Sequence, residues 1–386
     1  MTSGGGEGGP AAPFGQGGSD AGPPVGPAFI GYQLKNLGDA LMCLPALELL
    51  KREAPGARTA LVARPGAAAL LRGSPALDEV FETGHGSRSL GLSATFGMAR
   101  RISQRRWEAA FGFDHKRRSG ILSLLSGQRR RLSARVPGYE DPAWPWKTVP
   151  EALLREPGEG ARAPGLVHMA EHQARLCAWA LGVPYRGGPG HLARPVLAPP
   201  GAEAEAEARG LLAGIPGAGP RAGLCLAGRQ PEKGWHLLNW KAVLEGLHER
   251  AGAGFCVTGG PEDGPAARTL VSMTRAPAVD LTGRTSLGGF RALCGMLDLF
   301  LSVDTGAAHL AALAGAPLLV VYTASSPALW APLTGRARLL CYNWALQRHG
   351  LPFEPPPGAP PWEACGIPGP REALAAAESL LELGRG

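Results

Sequence analysis

The chain has 386 residues, 45% of them apolar and 6% aromatic, with a formal net charge of +7. That length suits two ordinary domains and that apolar fraction fills two cores, while no stretch approaches the roughly 20 apolar residues that a membrane-spanning helix needs. Seven cysteines, an odd number without C-x-x-C spacing, argue against a disulfide framework and for reduced thiols in a cytoplasmic protein.

Residues 1–27 are dominated by Gly, Pro and Ala, have neither the basic start nor the apolar core of a signal peptide, and read as a disordered tail. Residues 28–34 then form a buried strand, 35–40 a glycine turn, and Leu41, Leu44, Leu47 and Leu50 mark a helix whose first turn accommodates Pro45. Strands at 58–63, 79–81 and 106–113, a short helix at 66–72 and a longer one at 167–181 complete a first domain, 28–183. Residues 184–220, rich in Pro, Gly, Ala and Glu, read as an interdomain linker with a short helix at 202–208.

The second domain, 221–345, repeats the alternation. Strands are expected at 222–227, 254–258, 279–281, 297–303 and 317–322, and helices at 235–250, 265–273 and 287–296 and from Asp304 to about Ala314, where Gly315 ends the last one. Residues 346–386 hold a Pro-rich loop and a final helix, 371–383, expected to pack back on the first domain. Strand-helix alternation predicts an α/β protein of two doubly wound parallel sheets with a cleft between them. Ligands of such sheets lie outside the carboxyl ends of the strands. Gly38-Asp39 and Asp304-Thr305-Gly306 both fall there and are expected to face each other across the cleft.

The most informative segment is Val303-Asp304-Thr305-Gly306-Ala307-Ala308-His309, between an apolar strand and an alanine-rich helix. The first amides of that helix have no intrahelical partner and favour phosphate oxygens. Asp304 and His309 would stand on the rim of the anion site, although a capping aspartate and a packed histidine fit the same residues. The positive charge is concentrated at Arg100-Arg101, Arg105-Arg106, Lys116-Arg117-Arg118 and Arg129-Arg130-Arg131. With aromatics sparse among these charges, an acidic or phosphorylated small substrate or an anionic membrane surface fits better than nucleic acid. His168-Met169-Ala170-Glu171-His172 spells a zinc-protease pattern, but no third ligand has a supporting context and no metal site is expected.

Four segments together resemble glycosyltransferase family 9, the bacterial heptosyltransferases, which have the GT-B fold. They are Asn36-Leu37-Gly38-Asp39 with Leu44-Pro45; the segment 113–135 with Ser119-Gly120 and Ser126-Gly127-Gln128; the loop Gly228-Arg229-Gln230-Pro231-Glu232-Lys233-Gly234-Trp235 with Trp240; and the Asp304-Thr305-Gly306 helix start. Ala227-Gly228, Lys35 and Gln33 depart from residues frequent in the family.

The resemblance implies an inverting transfer of a heptose, from ADP-heptose or a related nucleotide sugar, to a lipopolysaccharide inner-core or other glycolipid acceptor. The alternatives are a family member with another donor or acceptor, such as a capsule glycan, and a noncatalytic sugar-nucleotide-binding module. Asp39 is then the candidate base, beside Gly38, though it also suits a helix cap. Lys233, with Arg229, would meet the diphosphate together with the amides of Thr305, Gly306 and Ala307 and the His309 side chain. Asp304 would orient Thr305 and Lys233 or contact the sugar. Glu262 or Asp263 would accept from a ribose hydroxyl. Lys116, Arg117 and Arg118 would meet an anionic acceptor or the inner leaflet, making the protein cytoplasmic with peripheral contact to that membrane. No cofactor or metal is required, since lysine and amides can carry the leaving charge; magnesium can accompany the donor.

Overall fold

The computed structural model describes residues 26–84, 91–136, 142–154, 167–186, 192, 194–226, 231–341 and 367–383. Residues 1–25 of the expected tail, Ala227 to Gln230 with the candidate Arg229, Cys365 and most of the Pro-rich loop lie outside them. The chain divides at Val196/Leu197 into two compact units.

In the first unit, β1 (Ala28–Gln33), β2 (Arg58–Ala63), β3 (Glu79–Glu82), β4 (Ala109–Gly112), β5 (Arg131–Ala134) and β6 (Lys147–Val149) form one parallel sheet ordered β3-β2-β1-β4-β5-β6. The helices are α1 (Leu37–Leu41), α2 (Leu44–Glu53), α3 (Pro65–Leu71), α4 (Leu92–Ser103), α5 (Arg117–Leu125) and α6 (Met169–Leu181). Pro45 stands in the first turn of α2, where an amide would have no intrahelical partner. One face of the sheet packs on Met98, Ala99 and Ile102 of α4 and Leu122 of α5, with Trp146 closing the cluster. Gly112 is required there, because a Cβ at this position would lie 2.5 Å from the Trp146 ring.

The second unit contains β7 (Arg221–Cys225), β8 (Gly254–Thr258), β9 (Ala278–Asp280), β10 (Leu299–Val303), β11 (Leu318–Tyr322) and β12 (Ala337–Cys341), also parallel and ordered β12-β11-β10-β7-β8-β9. Its helices are α7 (Ala202–Ala213), α8 (Leu237–Ala251), α9 (Gly264–Met273), α10 (Leu287–Met296), α11 (Gly306–Ala314), α12 (Pro327–Trp330) and, last, α13 (Pro370–Leu383). Counted from its own first strand, each sheet has the doubly wound order 3-2-1-4-5-6. The strand order reverses between β1 and β4 in one unit and between β7 and β10 in the other, and ligands of such sheets bind at these switch points.

Two expectations are corrected. The final helix packs on the second unit, not the first: Ala373, Ala377, Leu380 and Leu381 of α13 join the core around Trp240, and Trp235 Nε1 donates to the Pro368 carbonyl at 2.9 Å. The helix packs against α8 and over β10, β11 and β12. The stretch read as a linker contains α7, which packs on α10 and belongs to the second unit. The Glu207 carboxylate accepts from the Ser286 amide at 2.7 Å and from its hydroxyl at 2.6 Å, tying α7 to the start of α10.

Candidate functional site

In the second unit the donor-side candidates converge where the sheet switches direction. Register pairs Cys225 with Ser302, so β7 and β10 end side by side, one leading towards Lys233 and the other into Asp304. A 3-10 turn, Pro231–Lys233, delivers the lysine, whose Nζ donates to Asp304 Oδ2 at 2.6 Å. Ser325 Oγ, from the loop after β11, donates to the same oxygen at 2.5 Å, and Thr323 Oγ1 donates to the Glu232 carbonyl at 3.1 Å. The Asp304 side chain is 6% exposed and that of Lys233 is 23% exposed. A buried carboxylate thus fixes a lysine that still reaches solvent. The carboxylate also adds to burial in raising the Tyr322 phenol well above its ordinary range.

Thr305 is the N-cap of α11 with extended backbone, and no side chain caps the helix. The first-turn amides of Gly306, Ala307 and Ala308 therefore have no acceptor within the helix, and Gly306 and Ala307 are half-exposed. The Thr305 hydroxyl lies 3.2 Å from Ser302 Oγ, turned towards the strand ends. His309 is buried at 6% exposure, below the rim on which the sequence reading put it. Glu262 is exposed in the 3-10 turn Pro261–Asp263 after β8, while Asp263 Oδ2 accepts the Gly260 amide at 2.9 Å.

The first unit carries the acceptor-side candidates. Gly38 is buried and Asp39 half-buried in α1; Asp39 Oδ2 accepts the Asn36 amide at 3.2 Å, so the carboxylate does cap its helix. Beneath it, the buried Gln33 amide donates to the Phe113 carbonyl at 3.4 Å and its oxygen accepts the Lys35 amide at 3.1 Å. Lys116, Arg117 and Arg118 are exposed at the start of α5, where no acid stands in the first turn. Three cations at the positive end of a helix concentrate positive potential and suit an anion.

The sequence reading missed Asp114, His115 and Ser325. Asp114 is fully buried and accepts the Leu34 and Lys116 amides, both at 3.0 Å, and the Ser119 hydroxyl at 2.5 Å. It fastens the end of β1 to the start of α5, and burial raises its carboxyl. The signal was present: Asp114 follows β4 as Asp304 follows β10, at the switch of each sheet. His115, with φ of 57°, is pushed down to about 4 by burial, then by Lys35, His172 and Lys116. In the His168 to His172 segment, Glu171 pairs with Arg175 at 2.8 Å and His168 Nδ1 accepts the Ala170 amide. No group of three metal-ligating side chains occurs among the described residues.

Two doubly wound units, each with candidate residues at its own switch point, define a nucleotide-sugar-dependent transferase of the GT-B class. Residues 160–349 match the model of glycosyltransferase family 9 (heptosyltransferase). Similar solved structures include a family 9 glycosyltransferase from Veillonella parvula, 18% identical, covering 92% of this chain and 98% of that one with a TM-score of 0.70. The ADP-heptose lipopolysaccharide heptosyltransferase II of E. coli is 17% identical, covering 93% and 100% with a TM-score of 0.69. The E. coli heptosyltransferase WaaC with ADP is 19% identical, covering 81% and 92% with a TM-score of 0.56. No sequence among curated proteins matches the chain significantly. Among the described residues, no helix is long and apolar enough to cross a membrane.

Proposed function

We propose that this glycosyltransferase moves a heptose from ADP-heptose to the inner core of a lipopolysaccharide, or to a closely related anionic glycolipid, with inversion at the anomeric carbon. The observation that carries the reading is the Lys233–Asp304 pair beside the uncapped first turn of α11. An ammonium and two or three amides around one point match the two phosphates of a leaving nucleoside diphosphate. The similar E. coli structures are described as an ADP-heptose enzyme and as one with ADP, which favours this donor.

In this mechanism the acceptor hydroxyl attacks the anomeric carbon, the bond to the diphosphate oxygen breaks, and the hydroxyl proton passes to Asp39. Lys233 and the Gly306 and Ala307 amides take up the charge that develops on the diphosphate. Asp304, buried and held by Ser325, keeps the ammonium in place before the donor arrives. Glu262 accepts from a ribose hydroxyl. Lys116, Arg117 and Arg118 bind the acidic groups of the acceptor.

The test is incubation of the purified chain with ADP-heptose and a heptose-deficient lipopolysaccharide precursor, with the product read by mass spectrometry and its anomeric configuration by NMR. A thermal-shift comparison of ADP-, GDP- and UDP-sugars identifies the donor independently. Transfer from a GDP- or UDP-sugar alone would overturn the donor assignment, and binding without turnover of any donor would favour a noncatalytic module.

A further inference from the structure

The fold sorts the basic clusters of the first unit onto opposite edges of its sheet. Lys116, Arg117 and Arg118 follow β4 and stand at the carboxyl edge with Asp39, which follows β1. Arg58 opens β2, Arg105 and Arg106 precede β4, and Arg129 and Arg130 precede β5, so these five arginines stand at the amino edge. There they line one cavity of about 950 Å³, bounded by the ends of α4 and α5 and the starts of β1, β2 and β4. A volume of that size accommodates a small-molecule ligand.

Helix ends explain part of this charge, because the last carbonyls of α4 and α5 favour nearby cations. Arg130 donates to the Ala180 carbonyl at 2.7 Å, and Arg105 pairs with Glu79 at 3.2 Å. Arg106 and Arg129 have neither an acid nor a carbonyl partner among the described residues, and both are exposed. Three acids share the cavity wall: Asp78, Glu79 and Glu108. Asp78 is already met by Lys51 at 3.0 Å. Glu79 Oε2 is different, being buried and, the Arg105 ion pair aside, accepting no hydrogen bond from any described residue. Buried acceptors are rarely left without a donor, and this one belongs to a cavity wall.

We infer that the amino-edge cavity binds a soluble phosphorylated molecule bearing free hydroxyl groups, a phosphosugar or a nucleotide, at a site separate from the one that carries the chemistry. Arg106 and Arg129 are available for bidentate hydrogen bonds to phosphate oxygens, and Arg58 and Arg105 add charge beside them. The Glu79 and Glu108 carboxylates accept from the hydroxyls, which bare phosphate does not offer. Position separates this ligand from the reacting groups. The length of the strands stands between the cavity and Asp39, so a molecule held here does not present a hydroxyl to that carboxylate. The site is therefore independent of which sugar the protein transfers and to what.

Calorimetric titration of the full chain with fructose bisphosphate and with ATP, and with inorganic pyrophosphate as a hydroxyl-free control, tests the inference. The phosphosugar or ATP is expected to bind more tightly than pyrophosphate, and more weakly at high salt. Which of the two binds identifies the source of the phosphate. ATP can also enter a nucleotide site in the second unit, so the titrations are repeated with Lys233→Ala, which should leave binding to the cavity unchanged. The double variant Arg106→Ser/Arg129→Ser should weaken binding by about tenfold or more, whereas Lys116→Ser/Arg117→Ser should not. These four side chains are exposed, and unchanged thermal unfolding of the variants verifies their folding. The inference is overturned if neither ligand binds at low salt, if pyrophosphate binds as tightly as both, or if Arg106→Ser/Arg129→Ser binds as wild type does. Equal losses in the two double variants overturn it as well, because they mark diffuse attraction to a basic surface. No sugar transfer is read in these titrations, so their failure and that of the proposed reaction are distinguishable.

Discussion

Lys233 and Asp304, 71 positions apart in sequence, meet at 2.6 Å at the switch point of the second sheet, with the carboxylate far more buried than the ammonium. That asymmetry decides what each does. A deeply buried, doubly hydrogen-bonded carboxylate is a fixed support, and the lysine it holds is the member that can reach a ligand. In the proposed diphosphate site Asp304 would not oppose the ligand, because its charge is already met.

Replacing Lys233 with Ala leaves Asp304 buried and still hydrogen-bonded to Ser325. The pair is partly solvated on the lysine side, so the expected stability loss is modest, about 1–2 kcal/mol by urea unfolding. The loss of leaving-group stabilisation should be larger, about 100-fold in kcat/KM, or about 2.7 kcal/mol. Asp304→Asn keeps an acceptor for Ser325 but releases the ammonium. It should lose less activity than Lys233→Ala, and an equal or greater loss would show that Asp304 acts directly on substrate.

Asp39 presents the sharpest choice between a structural and a chemical role, since one carboxylate oxygen caps α1. Asn at this position can still accept the Asn36 amide but cannot take a proton from the acceptor. Asp39→Asn should therefore keep its unfolding midpoint while kcat falls about 100- to 10,000-fold. A variant with normal kcat would confine Asp39 to capping.

The core and the chemistry were unequally legible in the sequence. Strands such as β10 and β11 are buried on both faces and read as unbroken apolar runs, so both sheets announced themselves. β5 and β6 did not: four and three residues long, with Arg131, Ser133, Lys147 and Thr148, they carry no such run. α4 escaped because Leu92 and Phe96 face outwards, which blurs the stripe made by Met98, Ala99 and Ile102. The partner of α13 was hidden for a different reason: an amphipathic pattern says that a helix packs, and the path of the chain says against what. At the candidate site, Lys233 and Asp304 stood out as separate motif residues, whereas Ser325 is a single polar residue in a loop whose role exists only in three dimensions.

Gly112 offers a test of packing at the acceptor-side switch. Its missing side chain makes room for Trp146, whose Nε1 donates to the Lys116 carbonyl at 3.2 Å and thereby steadies the start of α5. Gly112→Ala should destabilise the protein by about 1–3 kcal/mol through overpacking. If Trp146 moves, the anchored carbonyl is released, so acceptor KM should rise more than donor KM; bisubstrate kinetics separates the two.

His172 is 2% exposed, and neither ring nitrogen finds a hydrogen-bond partner among the described residues. Burial, then the nearby Arg175 charge, pushes it down to about 4, and His115 is pushed down to a similar value. Both groups bind protons less tightly when folded than when unfolded. Their contribution is complete above the unfolded value near 6.5 and is lost as pH falls from there towards 4, because the unfolded chain takes up protons that the folded one refuses. Urea unfolding should therefore show stability falling over that interval by up to about 1.4 kcal/mol per pH unit for each histidine. His172→Phe removes two orphaned polar atoms at little change in volume. It should leave the protein as stable at neutral pH or about 1 kcal/mol more so, and should flatten the acid limb. An acid limb as steep as that of wild type would mean that His172 does not titrate there, and would leave His115 as the histidine responsible.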